Sequence, residues 1–352
     1  MTLRAALITR GDPQRTTGGH IYHRRVAELA PRFDASLTFV AAPAGIMRAA
    51  VAARGTLERA LRQSDVVVCD SLLAASVSLA LTRSRSSVVG MLHQEPGGVD
   101  GGRVRRSLQR PFDRAAYRRM AHLIVASEQL RRRLLDQGFA DRDITVIAPG
   151  CDPPPSDTEE DVGDLRAGSK VAFLCVGNWM SHKGIVDLLE AFTSLPAELG
   201  RLHLVGDDSV EPEYARRVRR RLESLTDRVV VHGPVSRSRV DAFYRSADVF
   251  VLPAYRETYG TVFGEAMAAG LPVIGWRAGN LPYLIEGGRE GLMCEPGDVR
   301  GLAKSMTRIA TDDEMRAAMA AAARERAASL PTWEQSAQAF FATLRGIAQE
   351  GR

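Results

Sequence analysis

The chain is 352 residues long, 45% of them hydrophobic and 25% charged, and its formal net charge is +5. This length is large for one hydrophobic core and suits two domains, and the composition is typical of a globular protein, which excludes a disordered or fibrous chain. No apolar run reaches the roughly 18 residues needed to cross a bilayer, and the N-terminus lacks the shape of a signal peptide, so we expect a cytoplasmic protein. The four cysteines are far apart and lack metal-ligand spacing, which predicts reduced thiols.

Short apolar runs alternate with helical patterns, which predicts an α/β protein built on parallel sheets. In the first half the predicted strands are 5–9, 36–41, 66–69, 87–92, 122–126 and 145–147, with helical patterns at 20–29, 47–63 and 127–137. In the second half the predicted strands are 170–176, 202–205, 228–232, 249–252 and 273–275, with helical patterns at 184–192, 213–224, 238–246 and 298–309. Two doubly wound domains are therefore expected, with a ligand cleft outside the carboxyl ends of their strands.

A change of composition separates the two halves. Three consecutive prolines at 153–155 are followed by an acidic, polar run, which cannot build a core and is interpreted as a linker. Near the end of the chain Thr332 is a suitable N-cap for a last helix. The predicted divisions are an N-terminal domain over 1–152, a linker over 153–168, a C-terminal domain over 169–330 and a final helix over 331–352.

The most informative segment runs from Glu257 to Glu265 and places two carboxylates eight residues apart around a helix start. A predicted strand ends just before it, and the loop contains Gly260 followed by Thr261. The free N–H groups and positive dipole end of such a helix favour a bound diphosphate. Glu265 could accept from two vicinal ribose hydroxyls, and Glu257 could meet a sugar beyond the phosphates. The simpler alternative makes Glu257 a solvated loop residue and Glu265 a partner of the helix dipole.

This segment resembles the E-x7-E motif of the retaining glycosyltransferases of family 4, and residues 265–273 match their EAMAxGxPV sequence closely. The resemblance extends along most of the chain. It implies a GT-B fold, in which two Rossmann-like domains face each other across a cleft. It also implies transfer of a sugar from a nucleotide-sugar donor to an acceptor, with retention of anomeric configuration. The N-terminal domain would bind the acceptor, the C-terminal domain the donor, and the final helix would pack back on the N-terminal domain.

The resemblance also implies roles for single residues of this segment. Glu265 is expected to hold the ribose hydroxyls of the donor. Gly260 and Thr261, at the helix start, are expected to hold the diphosphate, with Tyr259 beside them in the donor site. Glu257 is expected to be catalytic, either contacting the donor sugar or stabilising positive charge near its anomeric carbon.

Residues 177–184 resemble the family's Gly-Arg…Lys-Gly loop, whose two cations neutralise the donor diphosphate. Lys183 matches the family lysine and is expected to stabilise the leaving group, because that group is an anion. Asn178 replaces the family arginine and is expected at the donor. The chain has only three lysines, so one in this position stands out in a sequence otherwise rich in arginine.

Two features of the first half complete the expected site. Gly19 belongs to a segment that begins at Thr17 and resembles the family's N-terminal Gly-Gly loop, where a missing Cβ lets the backbone approach the donor phosphates and the acceptor. His93 ends the fourth predicted strand, where the family often carries a histidine that orients the transferred sugar or the acceptor. A purely structural role for His93 is the alternative.

No cofactor is expected apart from the co-substrate, a nucleotide sugar that we expect to be UDP- or GDP-linked. Metal use is also not expected. Asp141 and Asp143 form an Asp-x-Asp sequence, but they lie in a polar loop. Lys183 and helix dipoles could stabilise a leaving diphosphate without Mg²⁺.

Seven arginines lie between Arg103 and Arg119, with Phe112 and Tyr117 among them. One interpretation is a solvated helix face. The other is contact with an anionic acceptor or with anionic lipid, which would place the protein peripherally on the inner face of a membrane. Nucleic acid is not expected as a partner, because no binding motif accompanies the charge.

Two other functions remain open. A dehydrogenase is disfavoured because no G-x-G-x-x-G follows an early strand with an acidic residue about 20 positions on. A non-catalytic homologue that binds a sugar nucleotide or a partner protein stays open, because Asn178 replaces an arginine. Asp208 and Asn280 also stand where the family motifs carry glycine. The sequence leaves the donor base, the sugar and the acceptor undetermined.

Overall fold

The computed structural model of the chain describes residues 2–10, 18–42, 46–77, 81, 88–98, 103–154 and 160–350. It contains two compact units: unit 1 comprises Met1–Gly150 and Pro331–Arg352, and unit 2 comprises Cys151–Leu330. Each unit is built on a six-stranded sheet whose recorded strand pairs are all parallel. The predicted pair of doubly wound α/β folds is therefore confirmed.

Unit 1 alternates strands and helices from its first residues. Its elements up to Gly150 are β1 (Leu3–Arg10), α1 (Gly18–Leu29), β2 (Ala35–Ala42), α2 (Ile46–Gln63), β3 (Val66–Asp70), α3 (Ala74–Val77), β4 (Val88–Leu92), α4 (Arg103–Tyr117), β5 (His122–Val125), α5 (Glu128–Leu135) and β6 (Ile144–Val146). Strands β3 and β4 are buried along their whole length, as expected for central parallel strands covered on both faces. The strand order is β2-β1-β3-β4-β5-β6, so the order reverses between β1 and β3.

Unit 2 repeats the alternation. Its elements are β7 (Val171–Val176), α6 (Ile185–Thr193), β8 (Gly200–Val205), α7 (Pro212–Leu222), β9 (Val229–Gly233), α8 (Arg237–Ser246), β10 (Val249–Val251), α9 (Thr261–Ala268), β11 (Val273–Trp276), α10 (Leu281–Leu284), β12 (Gly291–Cys294), α11 (Val299–Thr311) and α12 (Asp313–Ala328). The strand order β12-β11-β10-β7-β8-β9 reverses between β7 and β10. In open α/β sheets a ligand binds beyond the carboxyl ends of the strands at this point of reversal.

The last helix, α13 (Trp333–Glu350), belongs to unit 1. It buries Phe340, Phe341 and Leu344 in the same core as β1 and β3. Each such side chain contributes about 1.5–3 kcal/mol when buried. The Ser336 hydroxyl donates to the Ala148 carbonyl at 2.7 Å. Helix α13 is therefore part of the core of unit 1.

Helix α12 and strand β12 of unit 2 escaped the sequence prediction for identifiable reasons. Helix α12 is rich in alanine, so it shows little contrast between an apolar and a polar face. Strand β12 has four residues and begins with a glycine, which is too short a run to show a pattern. Part of the stretch predicted as a linker lies on unit 2, because Leu165 is buried in its core and Arg166 pairs with Asp248 at 2.5 Å. Residues 155–159 of that stretch lie outside the described residues.

Candidate functional site

The loops that follow β7 and β10 lie side by side, because these strands are neighbours at the point of reversal in unit 2. Gly184 lies where they touch. Its φ is +70°, and a Cβ there would lie 2.1 Å from the Pro253 carbonyl oxygen, so only glycine fits. The Tyr255 N–H also donates to the His182 carbonyl at 2.8 Å. The two sequence motifs of this half therefore form one surface.

Two helices of this surface, α6 and α9, both begin after a glycine with positive φ. Their first turns differ. In α6 the Val186 N–H is already occupied, because it donates to the Tyr214 hydroxyl at 3.0 Å. In α9 the N-cap is Gly260, which has no side chain to accept from the first amides. Since the first amides of a helix have no acceptor within it, the start of α9 is the stronger candidate for an anion.

Lys183 and Glu257 form an ion pair across the two loops, from Nζ to Oε2. Their side chains are 15% and 18% exposed, so the pair is shielded but remains within reach of a ligand. Each charge compensates the other, which reduces the cost of removing both from water. A diphosphate placed here would compete with Glu257 for the ammonium.

The loop after β11 supports the backbone around Glu257 through hydrogen bonds. Asn280 donates its N–H to the Glu257 carbonyl at 2.8 Å and its side-chain amide to the Tyr259 carbonyl at 2.9 Å. Gly279, with φ +58°, lies so close that a Cβ would be 2.6 Å from the Glu257 carbonyl oxygen. The departure from the family motif at Asn280 therefore supports this loop.

Glu265 lies in α9 and both of its carboxylate oxygens are engaged. Arg237, the first residue of α8, contacts Oε1 at 2.5 Å, and the Tyr244 hydroxyl donates to Oε2 at 3.1 Å. Arg237 also pairs with Asp241 at 2.8 Å. Burial opposes the charge of Arg237, but the two carboxylates outweigh it and raise its pKa. Burial and the Glu265 charge raise the pKa of Tyr244, so the phenol remains a donor.

Of the residues predicted at the donor, one forms a hydrogen bond within the protein and another has a buried side chain. The Asn178 side-chain oxygen accepts from the Asp207 N–H at 3.1 Å, which joins the loop after β7 to the end of β8. The Tyr259 side chain is buried, and burial raises its pKa. Thr261, by contrast, is half-buried at the start of α9.

Unit 1 gathers a second polar cluster at its own point of reversal, where β1 and β3 end. The carboxylate of Asp70, the last residue of β3, accepts three hydrogen bonds. The Thr9 hydroxyl donates to Oδ2 at 3.2 Å, the Ser71 hydroxyl to Oδ1 at 3.2 Å, and the Leu72 N–H to Oδ1 at 2.9 Å. Asp70 is thus a buried acceptor held in a fixed orientation.

His93, which follows β4, joins this cluster through His23 of α1. The two Nε2 atoms are 2.8 Å apart, and His23 Nδ1 lies 3.6 Å from Asp70 Oδ2. A Cβ on Gly19 would lie 3.0 Å from the His93 ring, so two residues predicted from separate motifs are in contact. Burial and the neighbouring histidines lower the pKa of both His23 and His93 to about 3, so both imidazoles are neutral at pH 7. Thr17, the start of the predicted glycine loop, lies outside the described residues.

Within the described part of the chain, no group of three or more His, Cys, Asp or Glu residues could hold a metal ion. Asp141 and Asp143 lie in a short 3-10 turn, and Asp141 pairs with Arg131 at 2.6 Å. All four cysteines are buried and free. Burial raises the pKa of Cys151 and Cys175 to about 12, so these remain thiols.

None of the helices in the described ranges combines the length and the apolar character that spanning a bilayer requires.

The chain has two Rossmann-like sheets, which is the architecture of the GT-B class of glycosyltransferases. A lysine, two glutamates and a helix start without a side-chain cap lie near the reversal point of the second sheet. Its residues 2–150 match the model of the glycosyl transferase 4-like domain, and residues 170–312 match that of the glycosyl transferases group 1. The chain therefore belongs to the family 4 type of GT-B glycosyltransferases, as its motifs predicted.

Curated relatives are similar over parts of their length. A D-inositol 3-phosphate glycosyltransferase of Xylanimonas cellulosilytica is 33% identical over 236 residues, which cover 62% of this chain and 55% of that protein. The mannosylfructose-phosphate synthase of Agrobacterium fabrum is 29% identical over 244 residues, which cover 65% of this chain and 54% of that protein. The matched region thus spans about half the length of these relatives.

Solved structures match the fold over nearly the whole chain. A sucrose-phosphate synthase from Thermosynechococcus elongatus has a TM-score of 0.82 at 22% identity, covering 98% of this chain and 99% of its own. The Anabaena protein HepE in complex with UDP has a TM-score of 0.79 at 19% identity, covering 98% and 100%. At these identities the likeness concerns the fold.

Sequence reasoning missed several residues of the two clusters. Arg237 and Tyr244 hold Glu265, and their only sequence mark is a helix that begins after Ser236, whose hydroxyl accepts from the Arg239 N–H at 3.2 Å. His23 could have been found by its position, because it lies four residues after Gly19 in the first helix.

Proposed function

We propose that the chain is an active glycosyltransferase that moves a sugar from a nucleotide-sugar donor to an acceptor with retention of anomeric configuration. The observation that carries this proposal is the convergence of Lys183, Glu257, Glu265 and the start of α9 at one end of the sheet of unit 2. Each group suits one part of such a donor. The family membership of the chain supports the same reaction.

In this proposal the donor lies at the start of α9. The amides at Gly260 and Thr261 and the helix dipole hold the diphosphate, and Lys183 leaves its ion pair to neutralise it. Glu265, already oriented by Arg237, accepts from the ribose hydroxyls with its remaining lone pairs. Glu257 is then free to face the transferred sugar.

The donor base is proposed to be uracil or guanine, as a UDP- or GDP-sugar. HepE, whose fold is similar, has been solved with UDP, with UDP and glucose, and with UDP-glucose. We propose that neither a metal nor another cofactor takes part. Lys183 and the dipole of α9 supply positive charge where the leaving phosphate develops negative charge.

The acceptor is proposed to bind unit 1, with His93 orienting an acceptor or sugar hydroxyl and Gly19 giving close access. A neutral imidazole suits this role, because its unprotonated nitrogen can accept from a hydroxyl. The leaving phosphate takes the proton of the acceptor hydroxyl, and transfer proceeds on one face of the sugar.

The test is a thermal-shift titration with UDP, GDP, ADP, dTDP and their common sugars. A ligand that binds only the folded state raises the unfolding midpoint by mass action. We expect a shift for one nucleotide that disappears in Glu265→Ala and Lys183→Ala but persists in Lys170→Ala, since Lys170 pairs with Asp313 elsewhere on unit 2. Equal shifts in all variants would refute the site. Binding without sugar transfer or donor hydrolysis would select the non-catalytic homologue instead.

We further propose that α4 contacts anionic lipid on the cytoplasmic face of a membrane. Two of its apolar side chains point into solvent: Leu108 is 66% exposed and Phe112 is 57% exposed. Four residues apart, they share one side of the helix. Arg110, which separates them in sequence, is also exposed, and so are Arg118 and Arg119, which follow the end of the helix. Apolar side chains that insert and cations that face lipid headgroups are the two parts of an interfacial helix.

Sedimentation with vesicles tests this contact. We expect binding to vesicles that contain phosphatidylglycerol, weakened in Phe112→Ser, and little binding to phosphatidylcholine alone. Val210→Ser is the matched control, because Val210 is also an exposed apolar residue (45%) but lies in unit 2. Equal binding of the Phe112 and Val210 variants would exclude α4 as the contact.

A further inference from the structure

The polar cluster of unit 1 runs from Asp70 through His23 to His93. The charge of the Asp70 carboxylate determines which histidine nitrogens carry a proton. His23 Nδ1 is buried and has no hydrogen-bond partner within the described residues. The atom it faces is Asp70 Oδ2 at 3.6 Å, and the two side chains are 2% and 3% exposed. A nitrogen lone pair directed at a carboxylate would be repelled, whereas an N–H is attracted even at this distance.

The other contacts of Asp70 identify it as the acceptor in this pair. Three donors already point at its oxygens, from Thr9, Ser71 and Leu72. Asp70 is therefore the acceptor in each of these contacts. The proton between Asp70 and His23 therefore resides on His23 Nδ1, and the neutral ring then carries a lone pair at Nε2.

The lone pair on His23 Nε2 determines the tautomer of His93. His93 Nε2 lies 2.8 Å from His23 Nε2, so one nitrogen must donate and the other accept. We infer that Asp70 and His23 are positioning residues that fix His93 as its Nε2–H tautomer and leave His93 Nδ1 as the atom that accepts from a substrate hydroxyl. The inference rests on the proposed role of His93 in sugar transfer.

The surroundings hold the His93 ring in one orientation. Gly19 packs against Cδ2 and Cγ of the ring, and a Cβ there would come within 3.0 Å. Tyr22 meets the ring edge to face at 5.2 Å between centroids. The remaining titratable neighbour, His20, lies 6.5 Å from His23 and lowers the pKa of both imidazoles, so it favours the neutral chain.

Nitrogen-15 NMR of the histidine side chains in the full chain tests the inference directly. In the neutral state we expect His93 to show a protonated, pyrrole-like Nε2 and an unprotonated, pyridine-like Nδ1, with the reverse pattern for His23. The His93 resonances are assigned by their loss in His93→Gln. A pyridine-like Nε2 on His93 would overturn the inference, and this result needs no substrate.

Asp70→Asn gives a sharper test. The Asn oxygen is expected to keep the Leu72 N–H, which turns its NH₂ group toward His23 Nδ1. Both tautomers should then invert, so that His93 becomes Nδ1–H. The pair His203 and His232, 3.0 Å apart in unit 2, has no such carboxylate contact among its recorded hydrogen bonds and serves as the internal control. Unchanged His93 resonances in Asp70→Asn would contradict the inference.

Activity separates this inference from the proposed function. His23→Gln keeps an oxygen that accepts from His93 and should retain most sugar transfer, whereas His23→Leu removes it and should lower kcat by roughly 10- to 100-fold. Neither change should alter affinity for the donor nucleotide, which in the proposed function binds unit 2. If the tautomers are as inferred but His93→Gln transfers sugar at the full rate, the proposed role of His93 fails and the tautomer chain stands. Equal kcat for the Gln and Leu variants would reject His23 as a positioning residue.

Discussion

The two units use the same place in their sheets in opposite ways. In unit 2 the point of strand reversal carries charged groups in compensated pairs that are partly open, Lys183 with Glu257 and Arg237 with Glu265. In unit 1 it carries a buried chain that ends on two neutral imidazoles, His23 and His93. The surface of unit 2 can exchange an internal counter-ion for a ligand, and that of unit 1 presents an acceptor in a fixed orientation.

This difference matches two kinds of ligand. A diphosphate brings negative charge, and a site whose cations are already paired avoids leaving them unpaired when it is empty. A sugar hydroxyl is neutral and is recognised by hydrogen-bond direction, which a fixed tautomer provides. This difference between the units supports a donor on unit 2 and an acceptor on unit 1.

Lys183→Ala should have the largest effect. It removes the cation from the proposed diphosphate site and leaves Glu257 as an uncompensated carboxylate beside it. We expect a loss of roughly 10²–10³-fold in kcat for sugar transfer, the range found when one charge-stabilising group is removed. Steady-state kinetics with Lys170→Ala as the control measures it. A loss of less than threefold would refute a role in leaving-group stabilisation.

Glu265→Gln should weaken donor binding by a smaller amount. Glutamine keeps the shape but removes the charge, and a hydrogen bond to a charged group contributes about 1.5–3 kcal/mol. Titration calorimetry with the nucleotide diphosphate should therefore show a Kd higher by about 10-fold or more. In Glu257→Gln, by contrast, we expect nucleotide affinity to remain and the rate of sugar transfer to fall. The opposite pattern would exchange the two proposed roles.

The sequence predicted more of the site in unit 2 than of the cluster in unit 1. The unit 2 residues lie in short motifs whose glycines and helix start depend on local backbone geometry. These short-range features are Gly184, Gly260 and the turn into α9. The structure places them together beyond the carboxyl ends of β7 and β10. What holds Glu265 could not be predicted in the same way. Arg237 lies 28 positions earlier in the chain, and its partner is chosen by the packing of α8 against the sheet.

The contacts within the polar cluster of unit 1 could not be predicted from the sequence either. Asp70, His23 and His93 come from β3, α1 and the end of β4, and nothing in their spacing shows that they meet. The strand order that brings them together was not determined by the alternation of apolar and polar segments. The alternation predicts that a doubly wound sheet forms, whereas the neighbours of each strand follow from long-range packing.

Gly260→Ala tests the geometry of the start of α9. Gly260 has φ +80°, and a Cβ would lie 2.5 Å from the Phe263 ring. Gly288→Ala is the matched control, because its φ is +98° but nothing lies within 4 Å of a Cβ there. Both changes should cost about 1–2 kcal/mol for the backbone conformation. Only Gly260→Ala should lose stability beyond this and also lose nucleotide binding. Urea unfolding and calorimetry measure both, and equal behaviour of the two variants would exclude a special role for Gly260.

Lowering the pH should reduce the free energy of unfolding through histidines of both units, and this is the smallest of the expected effects. The pKa of His23 and His93 is lowered from 6.5 to about 3 in the folded protein, and that of His232 to about 4. Below pH 6.5 the unfolded chain takes up protons that the folded chain refuses, so the free energy of unfolding rises with pH. The stabilisation is present above pH 6.5 and is lost as the pH falls toward 3, at up to about 1.4 kcal/mol per pH unit for each histidine.

The sharpest form of this prediction compares two double variants. Removing the unit 1 pair, in His23→Gln with His93→Gln, should flatten the pH dependence of unfolding more than removing the unit 2 pair, in His203→Gln with His232→Gln. The reason is that the unit 1 histidines resist protonation over a wider range. Urea unfolding between about pH 6.5 and pH 3 measures the slope, because near pH 4 the folded protein begins to protonate His232, whereas His23 and His93 stay neutral to about pH 3. A larger change for the unit 2 pair would mean that the histidines of unit 1 are protonated in the folded protein, and the chain from Asp70 through neutral His23 to neutral His93 could then not exist.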